Sequence, residues 1–151
     1  MKSPMDKMNN VIAKLRINRD NKLKFLFWKV VWRHYQNKYF VTIPSRTIIG
    51  EDFKILHYGN IQINPNTIIG DRVIVAQGVT LGLSFGGKKK GTPTIGNDVY
   101  IGPNSVVVGN VKIGDNVFIA PNTFVNFDVP DDSFVIGSPG EIHPRHRENK
   151  E

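Results

Sequence analysis

The chain has 151 residues, 40% of them apolar and 22% charged, and it contains no cysteine. That is one domain's worth of ordinary globular composition, which excludes disorder, disulfide stapling, thiolate metal sites and cysteine nucleophiles. The net charge is +7, yet residues 1–40 alone hold ten Lys or Arg against Asp6 and Asp20, so the excess belongs to an arm and not to the body.

In that arm Met5, Met8, Ile12 and Leu15 recur at spacings of three and four, one stripe of a helix. The polar stretch NRDN at 18–21 breaks it. A second helical stretch, 22–39, mixes Leu23, Phe25, Leu26, Phe27, Trp28, Val30, Val31, Trp32 and Tyr35 with Lys24, Lys29, Arg33 and Lys38. Such a basic, aromatic-rich helix either caps the open end of the main domain or lies at an anionic membrane surface. It carries no helix-turn-helix signature, so nucleic acid is not an expected partner. No apolar run approaches the roughly 18 residues that span a bilayer. No secretory signal pattern is present either, so a cytoplasmic protein is expected, with the arm able to hold it at the inner membrane face.

From residue 41 the character changes. Ile43, Ile49 and Ile55 lie six apart. After a two-residue slip at Ile61/Ile63 the series runs Ile63, Ile69, Val75, Leu81, and after a longer interruption Ile95, Ile101, Val107, Ile113, Ile119, Val125. The next position is Gly at 50, 70, 82, 96, 102 and 114 and Ala at 76 and 120. Four residues after the aliphatic comes Thr or Val at eight places, 47, 67, 73, 79, 99, 111, 117 and 123. Two-residue strands with tight turns every six residues predict an all-β solenoid, a hexapeptide β-helix whose first and fifth positions point inward. Gly and Asn/Asp suit its corners. A β-sandwich would need strands 8–12 residues apart.

The interruption, 83–94 (LSFGGKKKGTPT), is too long for a coil and must protrude. Its Lys88, Lys89 and Lys90 form either a phosphate-binding patch or a solvated loop tip. His57, in ILHYGN, falls outside the core at a corner, as a functional group or as an idle surface histidine. Counting one coil on from His57, slip included, reaches Gln77, so no histidine stands on the neighbouring coil and no metal site is expected. His34 lies in the arm, and His143 and His146 in the basic tail.

ILHYGN, VAQGVTLG at 75–82, the loop, TIGNDVYIGPNSVVVGNVKIGDNVFIAPNTFV and the closing VPDDSFVIGSP resemble the left-handed parallel β-helix acetyltransferases. Within that family they resemble the serine acetyltransferase branch and its exopolysaccharide and capsule O-acetyltransferases of the colanic acid type. The resemblance covers about residues 43–142 and implies three hexapeptides per coil, hence about four coils between Ile43 and Pro130. The implied organisation is a basic helical arm at 1–40, the β-helix at 41–142 with its loop at 83–94, and a basic tail at 143–151. The resemblance further implies acetyl-CoA as donor cosubstrate with no bound cofactor, direct transfer without an acyl-enzyme, and a homotrimer with sites between subunits. It makes His57 the general base. Gly82, Lys88, Lys89, Lys90, Gly102, Pro103, Ala120, Ser138 and Pro139 would hold CoA, and Asn60, Gln77 and Thr92 would line the acceptor.

The chain departs from serine acetyltransferases at three points. Leu56 replaces an acidic residue before the histidine, Gly91 and Thr92 replace an Arg-His pair, and Thr42 replaces the acid that partners the base. The first two changes remove charges that would grip an amino acid. The expected reaction is therefore acetyl transfer to a hydroxyl of a sugar, sugar nucleotide or polysaccharide precursor. The alternatives are a serine acetyltransferase or a non-catalytic β-helix scaffold docked at membranes.

Overall fold

The computed structural model describes residues 3–145. Two helices come first, α1 (Pro4–Ile17) and α2 (Lys22–Tyr39). The N-terminus of α1 is closed by a capping box in which Ser3 Oγ accepts the Asp6 N–H and the Asp6 carboxylate accepts the Ser3 N–H. Asn21 caps α2, and Phe40, in the left-handed conformation, ends it.

Short strands then wind coil by coil. The first coil is β1 (Val41–Thr42), β2 (Ile48–Ile49), β3 (Lys54–Ile55); the second is β4 (Ile61–Ile63), β5 (Ile68–Ile69), β6 (Ile74–Val75). The third is β7 (Thr80–Gly82), β8 (Thr94–Ile95), β9 (Tyr100–Ile101), and the fourth β10 (Val106–Val108), β11 (Lys112–Ile113), β12 (Phe118–Ile119). A fifth contains β13 (Phe124–Val125) and β14 (Ser133–Ile136), and β15 (Glu141–Pro144) folds back antiparallel on β14. Equivalent strands of successive coils pair in parallel, giving three sheets in the orders β1-β4-β7-β10-β13, β2-β5-β8-β11 and β3-β6-β9-β12-β14-β15. This is the left-handed parallel β-helix expected, four full coils and part of a fifth. The last strand runs to Pro144, past the expected end of the domain at 142, and so takes His143 out of the tail. His146 lies outside the described residues.

The hexapeptide register accounts for the core. Of the thirteen aliphatic positions, all are buried except Ile49, which is half-buried, and eleven of the thirteen residues four places on are buried too, the exceptions being half-buried Gly59 at the histidine corner and exposed Phe85 in the loop. Eight corner residues, Asp52, Asn60, Arg72, Asp98, Asn104, Asn116, Asn122 and Asp132, take positive φ, a conformation that short polar side chains tolerate best. Arg72 is the one long side chain among them, and its guanidinium is held by both Asp98 oxygens at 2.7 and 2.8 Å. Along the edge joining the second and third sheets runs a polar ladder. Asp71, Asn97, Asp115 and Asp131 each accept the backbone N–H of the equivalent residue one coil earlier, at 2.6–2.8 Å. A glycine (Gly50, Gly70, Gly96, Gly114) precedes each N–H that donates to the ladder, because the coils touch there: a Cβ on Gly70 would lie 2.7 Å from Asn97 Oδ1.

The first coil has no coil before it, and the two helices supply what its backbone lacks. Asn9 of α1 accepts the Ile55 N–H at 2.9 Å and donates to the Ile55 carbonyl at 3.2 Å, as a paired strand would. Arg19 donates to the Thr47 carbonyl at 2.8 Å. On α2, buried Trp32 donates its indole N–H to the Ile43 carbonyl at 2.8 Å, and Gln36 Oε1 accepts the Ile43 N–H at 2.9 Å. Met8, Val11, Ile12 and Leu15 of α1 join the core directly. The arm is a cap, one of the two roles its sequence allowed. Trp32→Phe keeps most of this apolar contact but strands the Ile43 carbonyl. It should lower stability by about 1–3 kcal/mol in urea-unfolding measurements.

Candidate active site

His57 lies in the corner between β3 and β4. The backbone ladder is regular on both sides of it: Leu56 N–H donates to Val75 O, and Gly78 N–H donates to Gly59 O, both at 2.9 Å. Leu56 therefore stacks on Ala76, and Gly59 on Gln77. His57 and Tyr58 have no counterpart in the next coil. They are the two-residue slip itself. The count that set Gln77 one coil after His57 is thereby corrected, because Gln77 stands over Gly59. The inserted pair bulges outward and both side chains are exposed; the chain re-enters the coil through Gly59 (φ +113°) and Asn60 (φ +51°). Among the described residues His57 makes no ion pair. Thr42, in β1, is exposed.

The ring of Tyr58 packs at 5.0 Å on Tyr39 of α2, which stacks at 6.0 Å on Tyr35. The cap thus reaches the histidine corner through an aromatic contact, while Asn9 holds Ile55 two residues before His57.

Several expected site residues share this edge between the third and first sheets. Gln77 and Pro103 follow Gly59 up it, with Asn104 N–H donating to Gln77 O at 3.0 Å and Asn122 N–H to Pro103 O at 2.9 Å. Gln77 Oε1 is buried and has no hydrogen-bond donor among the described residues. Ser138 and Pro139 are exposed just after β14, at the far end of the same edge.

Gly102 and Ala120, also expected to contact CoA, are buried at this edge. Ala120 is 4% exposed; its N–H donates to Val135 O, and its carbonyl accepts the Ser105 hydroxyl at 2.7 Å. Buried Gly102 donates to Ile119 O, and a Cβ there would lie 2.7 Å from Pro121 N. Both residues are small so that coils can stack.

The other expected residues sit elsewhere. The 83–94 loop leaves between β7 and β8, at the edge joining the first and second sheets, and carries Gly82 at its base with Lys88, Lys89, Lys90 and Thr92. One chain therefore sets His57 and the lysines on opposite edges of the first sheet. The loop protrudes as expected, but it is held. Ser84 and Gly91 exchange backbone hydrogen bonds at 2.9 and 3.1 Å, and Thr92 Oγ1 donates to Asn66 O at 3.0 Å. Lys89 Nζ meets Asp128 Oδ2 at 2.6 Å, and the Lys89 carbonyl accepts the Asn110 N–H at 2.8 Å. Lys88 and Lys90 are exposed, whereas Lys89 is a tether.

The hydrogen bond from Lys89, with another from the Lys112 N–H, holds the Asp128 carboxyl below the usual carboxylate range. A depressed pKa in the folded state favours the tether at neutral pH, and that contribution is lost only as pH falls through the carboxylate range. Gly91, one of the two positions at which the resemblance calls for an Arg-His pair, has φ +134°, and a Cβ there would lie 2.9 Å from Asn110 Cβ. An arginine does not fit this loop conformation without a shift.

Sequence reasoning missed three residues. Asp128 is 39 residues from the lysine it tethers, and Asn9 is 46 from the strand it mimics, so neither left a local signal. Tyr58 stood inside the motif ILHYGN, where an aromatic beside an inserted corner histidine was the available clue.

Residues 92–126 match the family model for the bacterial transferase hexapeptide (six repeats). The serine acetyltransferase of Synechococcus elongatus is 38% identical over 102 residues, 68% of this chain and 42% of that protein. The WcaB protein of Escherichia coli K12, whose name assigns it provisionally as a colanic acid biosynthesis acetyltransferase, is 36% identical over 100 residues, 66% of this chain and 61% of that protein. The crystal structure of the Brucella abortus serine acetyltransferase with coenzyme A superposes with a TM-score of 0.72 at 21% identity, over 90% of this chain and 53% of that one, a likeness of fold. The chain spans about half the length of the curated relatives it matches. With its three parallel sheets, hexapeptide register and matched repeat, the chain belongs to the bacterial hexapeptide-repeat transferase family.

Proposed function

We propose that this protein is an acetyl-CoA-dependent O-acetyltransferase of the serine acetyltransferase type, with His57 as general base. The observation that carries this reading is the insertion of His57 and Tyr58 into an otherwise regular corner, which lifts an imidazole out of the coil where a substrate can reach it. A hydroxyl is a poor nucleophile at neutral pH, and an imidazole titrating near 7 is the best-matched side chain to take its proton. As that proton passes to His57, the hydroxyl oxygen attacks the thioester carbonyl. Backbone N–H groups near Gly82 meet the developing oxyanion, and collapse expels the CoA thiolate, which recovers the proton from the imidazolium. With no cysteine in the chain, direct transfer is the simplest course. CoA lies along Pro103 and Ser138–Pro139, with its phosphates toward Lys88 and Lys90.

Two edges of one chain carry the two halves of this machinery, so a second copy must bring its loop edge to the His57 edge. A homotrimer with three sites between subunits does this, and sedimentation should give three times the chain mass. Monomeric protein at micromolar concentration would rule the arrangement out.

The names of the relatives back L-serine as the acceptor better than a sugar. One feature favours the second reading, a hydroxyl of a sugar or sugar nucleotide. Leu56 and Thr92 bear no charge, and the Gly91 backbone disfavours an arginine that would grip a carboxylate. In either case Gln77 Oε1, buried without a donor, is an acceptor awaiting a substrate hydroxyl or ammonium. The assay is CoA release with L-serine and a sugar-nucleotide panel side by side. Saturable serine turnover at about 1 s⁻¹ or more establishes the serine reading, turnover of a sugar alone establishes the other, and release with neither leaves a scaffold.

With the acceptor so identified, His57→Ala should lower the transfer rate by about 10²–10⁴ with acetyl-CoA affinity nearly unchanged. More than a tenth of the rate remaining would make His57 an idle surface group. Lys88→Ala with Lys90→Ala should raise the acetyl-CoA KM several-fold at low salt, fading at high salt, as exposed ion pairs do. An unchanged KM at low salt would mean that these lysines only solvate the loop.

A further inference from the structure

The cap uses only one side of α2. Trp28, Trp32, Tyr35 and Tyr39 pack toward the β-helix. Leu23, Leu26, Phe27 and Val30, at the spacing of a single helical face, lie on the other side and are 57–83% exposed. At 100° per residue, Lys22, Lys29 and Arg33 line one flank of this apolar stripe and Lys24 and Lys38 the other. All five cations are exposed, and α2 contains no acidic residue. Water is a poor solvent for four neighbouring apolar side chains. The flanking charges select what covers them: a second copy of this helix would bring five cations against five, whereas an anionic surface with an apolar interior satisfies both the stripe and its borders.

We propose that the outward face of α2 docks in the plane of an anionic phospholipid membrane, with Leu23, Leu26, Phe27 and Val30 entering the headgroup boundary and the flanking Lys and Arg meeting lipid phosphates. No described helix is long and apolar enough to cross a membrane, so the contact is peripheral.

The test is co-sedimentation of the full chain with vesicles of phosphatidylcholine alone and of phosphatidylcholine with one-third phosphatidylglycerol. The expected result is binding to the anionic vesicles only, weakened about tenfold or more by high salt. Leu26→Glu with Val30→Glu should abolish binding while circular dichroism and thermal unfolding stay unchanged. Lys24→Glu with Lys29→Glu, altering only exposed side chains, should weaken it at least about tenfold without touching the apolar stripe. The proposal fails if the wild type stays in solution with anionic vesicles, if neutral vesicles bind equally, or if both variants bind like the wild type. It fails also if Leu26→Glu with Val30→Glu lowers the sedimentation mass, since the stripe then covers another copy of the chain.

Discussion

A β-helix carries its strongest constraint at its ends. Every coil hydrogen-bonds to the coil before it, so the first coil presents three strand edges with nothing beneath them, an exposed template for aggregation and a set of polar groups that burial would leave unpaired. Here each edge has its own partner. Asn9 serves the third sheet, Arg19 the second, and Trp32 with Gln36 the first. Because Asn9 and Tyr39 flank the corner that carries His57, the groups that close the solenoid also hold the candidate base in position.

The corner shows how a repeat protein makes a site. A hexapeptide coil has little freedom: its inward positions are filled, its edges are hydrogen-bonded from coil to coil, and glycines sit where a side chain would meet the next turn. Chemistry must be added by departures from the repeat. This chain has two, the His57–Tyr58 insertion and the loop at 83–94. They leave from different edges, so the solenoid that displays both cannot join them. In the function proposed above, the symmetry of an oligomer brings the two together.

The loop also separates two properties that a run of lysines confounds. Lys89 is spent on Asp128 and on the neighbouring coil, which fixes the loop's course, while Lys88 and Lys90 remain exposed. Gly91 follows from the same course. Its positive φ and its contact with Asn110 strain any side chain placed there, so a long cation at this position requires the loop to shift. The names of the relatives point to serine and the charges of this loop to a neutral acceptor, and the loop geometry is the physical origin of that tension.

The sequence by itself determined the architecture. Aliphatic residues six apart, small residues after them and Asn or Asp at the corners are local instructions, each read within one strand and one turn, and twelve of the thirteen aliphatic positions are fully buried. The two helices, the polar break between them, the protruding loop and the corner position of His57 were legible for the same reason. What only the tertiary structure decided concerns residues one coil or more apart. Whether Gln77 stands over His57 or over Gly59 depends on where two extra residues are accommodated, and the hydrogen bonds of Leu56 and Gly78 settle that. The Asp128 tether, the Asn9 and Trp32 caps and the loss of Ala120 from the surface depend likewise on stacking between segments distant in sequence. So does the choice of which side of α2 is covered. Its two faces are both apolar and aromatic, and only the position of the first coil tells them apart, because the Ile43 carbonyl just after β1 draws the indole N–H of Trp32 and leaves Leu26 and Val30 outside.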